Sequence, residues 1–203
     1  MKTFALLTGL ALATGLILTN CTQTEKTAAD STDAAPEPTS QASEETLAER
    51  GAYLVTVMGC NDCHTPKVMT EQGPAPDLTR LLSGHPADEK LPEITDKRMI
   101  APGNWALFNG SLTAAVGPWG TTFAANLTPD ETGLGNWTID NFKRALREGK
   151  YKGLDGGRML LPPMPWQNFT GMHDEDVEAI WAYLRTIKPV KNIVPAPIPP
   201  TAG

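Results

Sequence analysis

Three stretches of the chain alternate apolar and polar residues with the period of an amphipathic helix. They run from Thr46 to about Gly59, from Ile139 to Glu148, and from Asp174 to Lys188. Between them the apolar residues are scattered among many glycines and prolines, a pattern that is typical of irregular loops. The hydrophobic pattern therefore predicts a helical core joined by long connections.

The ends of these predicted helices carry residues that start or stop helices. Thr46 followed by Glu49 has the spacing of a capping box, and Thr138 stands at the expected N-cap of the second helix. Gly149 follows that helix and Pro189 follows the third, and both residue types terminate helices.

The first 20 residues differ from the rest of the chain. Lys2 is followed by an uncharged apolar run from Phe4 to Leu18, which is too short to span a bilayer comfortably and is followed at once by polar residues. We therefore expect residues 1–20 to be an export signal. The Leu-Thr-Asn-Cys sequence that ends at Cys21 resembles a bacterial lipobox, which implies lipid attachment at Cys21. The alternative is a plain secreted protein in which Cys21 has no such role.

The remaining chain divides by composition into a tether, a domain and a tail. Residues 22–45 contain no aromatic and no branched apolar side chain, so they bury too little to offset the entropy of ordering. We expect 21–45 to be a lipidated N-terminus and disordered tether, 46–190 to be the folded domain, and 191–203 to be a proline-rich tail that lies extended on the surface.

Charge and cysteine content exclude some classes of function. Lysine and arginine number 17 against 23 acidic residues, and the basic residues form no dense cluster, which argues against nucleic acid as a partner. The three cysteines are too few for a disulfide framework.

The sequence Cys60-Asn61-Asp62-Cys63-His64 is a C-x-x-C-H motif, the attachment signature of c-type haem. Its two thiols can add to the two vinyl groups of one porphyrin, and the following imidazole can bind the iron. A thioredoxin-like redox pair would need a βαβ context, and a zinc site would need a fourth ligand. We therefore predict one covalently attached haem c at Cys60, Cys63 and His64.

With these elements in place, residues 46–190 resemble class I cytochromes c. More narrowly, they resemble bacterial periplasmic cytochrome c lipoproteins and dehydrogenase cytochrome subunits. The matching stretches are Arg50–Leu54, Phe123–Asp130, Gly135–Trp137, Arg144–Gly149, Pro163–Trp166, Asp174–Val177 and Ala182–Arg185. The resemblance implies an all-α cytochrome c fold, with about three main helices around one haem and long irregular loops.

Met164 is the predicted second axial ligand. It lies in Leu-Pro-Pro-Met-Pro-Trp, where prolines fix the backbone so that a weak thioether ligand loses little entropy on binding. The family places its ligand methionine in a matching segment. Met159 and His85 remain as other candidates, and Met164 as plain core is the alternative to ligation.

Two further cofactor-binding residues follow from the resemblance. Class I cytochromes use a proline carbonyl to accept the second ring N–H of the haem histidine, and Pro76 is the best match, with Pro74 second. Trp137 stands where the family has a tryptophan that meets a haem propionate. The alternative for Trp137 is a core residue.

The chain departs from small cytochromes in the length between His64 and Met164. The additional segment, roughly 80–125, holds several aromatic residues among many glycines. It could cover the haem or form a docking surface, and the sequence leaves both open.

Histidine and methionine ligands would fill both axial positions of the iron, so no site is left for a substrate. The chain is therefore predicted to be an electron-transfer protein rather than an enzyme. We expect a monohaem carrier, lipid-anchored on the periplasmic side of a bacterial membrane, between a dehydrogenase donor and a cytochrome or terminal oxidase acceptor. The alternative is a haem-based gas or redox sensor with an open distal site.

Overall fold

The computed structural model describes residues 44–200, with side chains from Thr46 onward. The predicted export signal at 1–20, the lipid attachment site at Cys21 and nearly all of the predicted tether lie outside the described residues. Within 44–200, no helix has the length and apolarity needed to cross a bilayer.

Four α-helices are present in the described part of the chain, and they include all three predicted ones. They are α1 (Glu44–Val57), α2 (Cys60–His64), α3 (Ile139–Glu148) and α4 (Asp174–Thr186). Because α1 begins at Glu44, Thr46 lies inside its first turn, and the predicted capping box at Thr46 is wrong. Short 3₁₀ turns lie at Leu78–Arg80, Lys97–Ile100, Tyr151–Gly153 and Trp166–Phe169.

The bounds of α3 agree with the prediction because both of its caps are encoded locally. The Thr138 hydroxyl accepts a hydrogen bond from the Asn141 amide at 3.2 Å, and the Asn141 side chain accepts one from the Thr138 amide at 3.1 Å. Gly149 ends the helix with a φ of 66°, a left-handed conformation that costs glycine little.

The first and last helices cross at Gly51. A Cβ atom at this position would lie 1.9 Å from the Ala179 carbonyl oxygen and 2.8 Å from the Tyr183 Cβ. The close approach brings Val55 of α1 into the core with residues of α4, including Val177. Gly51 is therefore needed for the contact between these helices.

Replacing Gly51 with alanine is expected to destabilise the folded protein by about 3 kcal/mol or more, because a methyl group there must push α1 away from the α4 backbone. Gly110→Ala is the matched control, since a Cβ at Gly110 would meet no atom within 4 Å. Denaturant unfolding of both variants measures the difference. Equal midpoints for the two variants would show that the crossing is not tight.

Two antiparallel sheets within residues 44–200 show that the predicted all-α fold class is wrong, since these residues are 35% helix and 14% strand. One sheet is the hairpin of β1 (Lys67–Thr70) and β2 (Gly73–Pro76), and the other orders β3 (Leu107–Phe108), β4 (Ala114–Gly117) and β5 (Gly120–Phe123). Each strand has four residues or fewer, so none is long enough to produce a readable alternation. The prolines of β2 also argue against a strand, but a two-stranded hairpin has only edge strands, which tolerate proline.

The proline-rich tail lies extended along the domain and is fixed to it. Ile198 pairs with Thr121 of β5 through two backbone hydrogen bonds of 2.8 and 2.9 Å. The Asn192 side chain donates to the carbonyls of Ser83 and His85, at 2.8 Å each. The tail, which follows α4, is therefore hydrogen-bonded to the segment 80–125.

Candidate cofactor site

A cavity of about 440 Å³ lies among the helices and the three-stranded sheet. All four helices and strands β4 and β5 contribute to its wall, for example through Val55, Cys60, Ala114, Phe142 and Ile180. Its lining is predominantly apolar, and its volume is in the range of cofactor pockets, roughly 300–1,000 Å³. The described part of the chain therefore has room for a large, mostly apolar group.

Five of the predicted site residues line this one cavity: Cys60, Cys63, His64, Trp137 and Met164. They come from α2, from the loop before α3 and from the loop before α4. Three others that the sequence singled out, Pro76, Met159 and His85, are not part of the lining.

The C-x-x-C-H motif forms the short helix α2. Gly59, with a φ of 70°, precedes it in the left-handed conformation, which lets the chain turn sharply after α1. Cys60 and Cys63 are one helical turn apart, so they lie on the same face of α2. They are not joined in a disulfide, and both thiols are available to one bound group.

Both cysteines are held in the neutral thiol form. Burial raises the pKa of Cys60 to about 11. Burial also raises the pKa of Cys63, and the nearby Asp62 carboxylate adds to the effect. The thiolate is the reactive form in disulfide exchange, so this environment disfavours a reactive redox pair. Thioether formation, in contrast, adds the sulfur and the hydrogen of a thiol to the two carbons of a vinyl group.

The His64 ring is fixed by a hydrogen bond from its Nδ1 to the Ala125 carbonyl oxygen at 2.8 Å. A carbonyl can only accept, so the proton is on Nδ1, and the Nε2 lone pair is free to bind a metal. Burial lowers the pKa of His64, which keeps the imidazole neutral. This arrangement is the outer-shell support that a ligating histidine requires.

The resemblance implied that the Pro76 carbonyl accepts the hydrogen bond from His64. In the structure the acceptor is the Ala125 carbonyl instead. Pro76 pairs with Lys67 in the β1–β2 hairpin. Ala125 reaches His64 because two segments stack beside it: the Gly84 amide donates to the His64 carbonyl at 2.8 Å, and the His85 amide donates to the Ala124 carbonyl at 2.9 Å. The prediction failed because the acceptor lies 61 residues from His64 and depends on the long inserted segment.

Met164 lies in a loop that the sheet holds in place. The Thr122 hydroxyl of β5 donates to the Pro162 carbonyl oxygen at 2.7 Å, and the Met164 amide donates to the Leu161 carbonyl at 3.3 Å. Sequence reasoning identified the prolines of this loop but missed Thr122, whose role depends on where β5 lies.

His85 is fully buried beside the cavity. Its Nδ1 lies 2.8 Å from the Thr113 hydroxyl, its ring is 4.8 Å from that of Phe123, and it is 0% exposed. Because His85 does not line the cavity, the structure does not favour it as the second ligand. Thr113 and Phe123, which contact it, do line the cavity.

The inserted segment forms part of the cavity wall. Thr113–Ala115 and Thr122–Ala125 line the cavity from β4, β5 and their flanks. Phe108 and Leu112 line it as well but stay 45% and 42% exposed, so they lie at its rim. Part of this segment therefore covers the cavity.

The residues present fit a covalently bound haem. The cavity brings together two neutral thiols, an imidazole with a free Nε2, and a thioether sulfur within apolar walls. Trp137 also lines the cavity and packs on the core around Leu134 and Phe142.

No protein-family model matches the chain, but several dehydrogenase subunits are similar to it. The fructose dehydrogenase cytochrome subunit of Gluconobacter japonicus is 30% identical over 81% of this chain and 26% of its own length. The alcohol dehydrogenase (quinone) cytochrome c subunit of Gluconobacter oxydans is 30% identical over 74% of this chain and 23% of its own. The gluconate 2-dehydrogenase cytochrome c subunit of Pantoea cypripedii is 30% identical over 68% of this chain and 22% of its own.

The chain spans about a quarter of the length of these curated relatives. The matches to the three cytochrome subunits nevertheless extend over most of this chain. Together with the C-x-x-C-H motif in the wall of an apolar cavity, they show that the chain is related to the cytochrome c subunits of dehydrogenases.

Proposed function

We propose that the chain is a monohaem c-type cytochrome that carries single electrons, with His64 and Met164 as the axial ligands. When bound, haem supplies an iron that takes up and releases one electron. The observation that carries the proposal is that Cys60, Cys63, His64 and Met164 line the same cavity.

Each of these residues has a distinct part. Cys60 and Cys63 would attach the haem through thioether bonds, so the haem stays on the chain even if its non-covalent contacts are weak. His64, oriented by Ala125, gives a neutral nitrogen ligand, and Met164 gives a neutral sulfur ligand. Methionine ligation favours a raised potential, and two occupied axial positions leave no place for a substrate.

The proposed donor is a dehydrogenase, because the relatives are cytochrome subunits of dehydrogenases for alcohol, fructose and gluconate. The proposed acceptor is a cytochrome or terminal oxidase. Substrate oxidation then belongs to the partner, and the chain itself only passes electrons.

We further propose that the domain works on the periplasmic side of a bacterial membrane, anchored through Cys21. The support is in the sequence: an apolar run that ends in a lipobox-like motif, followed by a polar tether. Attachment of two or more acyl chains would anchor the protein stably.

A potentiometric titration of the haem-loaded protein, followed by optical spectroscopy, tests the carrier function. We expect one single-electron transition at positive potential, a far-red sulfur-to-iron band in the oxidised form, and no binding of carbon monoxide by the reduced form. Rapid carbon monoxide binding would instead favour the sensor with an open distal site, and two transitions would contradict a single haem.

A further inference from the structure

Arg158 is the one arginine or lysine among the described residues that line the cavity. Its guanidinium is always charged at physiological pH, and apolar side chains form most of the surrounding wall. Arg158 is exposed, so its guanidinium lies at the rim of the cavity.

The loop around Arg158 holds its guanidinium in place. Lys150 and Met159 form an antiparallel bridge, and the Tyr151 amide donates to the Arg158 carbonyl at 2.9 Å. The guanidinium carbon lies 3.8 Å from the centre of the Tyr151 ring, and Nη1 donates to the Met159 carbonyl at 2.9 Å. Stacking of this kind orients the planar group and leaves most of its N–H donors free.

Within residues 46–200, no carboxylate forms an ion pair with Arg158. The acidic residue of the same loop, Asp155, is paired with Arg144 of α3. Arg147, also in α3, is paired with Asp174. Arg158 is therefore an oriented cation at the cavity whose anionic partner is not supplied by the described chain.

We propose that Arg158, oriented by Tyr151, binds a propionate carboxylate of the cofactor. The proposal rests on the proposed function, since haem brings two such carboxylates into a cavity whose lining is mostly apolar. Five N–H donors in a planar fork match the two oxygens of a carboxylate. The pair would neutralise one of the two carboxylates at the rim, where Tyr151 is also part of the lining.

The test compares Arg158→Gln with Lys152→Gln in the haem-loaded protein. Lys152 lies in the same loop, its Nζ is 5.7 Å from the Tyr151 ring, and it is not part of the cavity lining. Each change removes one positive charge. Lys152→Gln therefore shows how much of any effect comes from loss of a nearby charge without loss of a direct contact to the cofactor. Arg158→Lys keeps the charge but loses the bidentate geometry.

We expect Arg158→Gln to lower the midpoint potential, because loss of a cation beside the cofactor favours its oxidised, more positive state. The carboxylate bands in the redox infrared difference spectrum should also move. Lys152→Gln should leave the midpoint potential and the carboxylate bands close to those of the unsubstituted protein. Arg158→Lys should preserve most of the midpoint potential while still changing the carboxylate bands.

Equal behaviour of Arg158→Gln and Lys152→Gln in a haem-loaded parent would overturn this inference and leave the proposed function intact. A shifted potential with unchanged carboxylate bands would also overturn it, because only a through-space charge effect would remain. If the unsubstituted protein carries no covalent haem, both the role of Arg158 and the proposed function are refuted.

Discussion

Met164→Ala is expected to open one axial position and lower the midpoint potential by on the order of 0.1 V or more, since axial ligands set haem potentials over a range of about 0.8 V. The far-red band should disappear, and the reduced variant should bind carbon monoxide. The reason is that Met164 is the one methionine of its loop in the cavity wall, where the Thr122–Pro162 hydrogen bond anchors the loop. Potentiometry and optical spectra measure all three effects.

Met159→Ala is the matched control for this experiment. Met159 lies five positions earlier, is 38% exposed, and is not part of the cavity lining. It should retain the potential, the far-red band and the resistance to carbon monoxide. If Met159→Ala changed the spectrum and Met164→Ala did not, the ligand assignment would be wrong.

Replacing Cys60 and Cys63 together with alanine is expected to abolish covalent haem. In the proposed site each thiol would form one of the two thioether bonds, and α2 contains no other thiol. A single replacement should retain one bond, whereas the double variant should give no pigment that survives acidified acetone. Haem staining of the denatured protein measures the outcome.

Cys21→Ala is the control for the double variant, because it removes the third cysteine of the chain and leaves the motif intact. It should keep its covalent haem and lose any lipid carried at that residue. A double variant that stayed pigmented after extraction would show that haem is attached elsewhere.

The helices could be predicted from the sequence because their signals are local. For α3, the periodicity of its apolar face, the Thr138–Asn141 capping box and the left-handed Gly149 all lie within one short stretch. For α4, the three acidic residues at its start suit the positive end of the helix dipole. At α1 the capping-box spacing of Thr46 and Glu49 was misleading, because the helix starts two residues before Thr46.

The sheets could not be predicted, because their stability depends on contacts distant in the sequence. Strand β5 is held on one edge by β4 and meets Ile198 of the tail on the other. A Cβ at Gly120 would come within 2.1 Å of the Ile198 carbonyl oxygen. A four-residue strand with such partners leaves no periodic pattern in the sequence.

Residues of the proposed site could be predicted where a motif encodes them, and not where folding brings distant segments together. Cys60 and His64 were predicted from the spacing of one short motif and Met164 from the prolines around it, and all three line the same cavity. Ala125 and Thr122 have no such signal, since each contacts a chain segment that only folding brings near. For the same reason Pro76 was the wrong acceptor.

The proposed function depends on a porphyrin that is bonded to the chain through both sulfurs of the C-x-x-C-H motif. Mass spectrometry of the denatured protein, and of its proteolytic fragment containing Cys60 and Cys63, tests this most directly when the protein is made in a host that exports and matures cytochromes c. The fragment is predicted to carry the mass of one haem. A fragment with the unmodified peptide mass, from a host that matures other c-type cytochromes normally, would contradict the account.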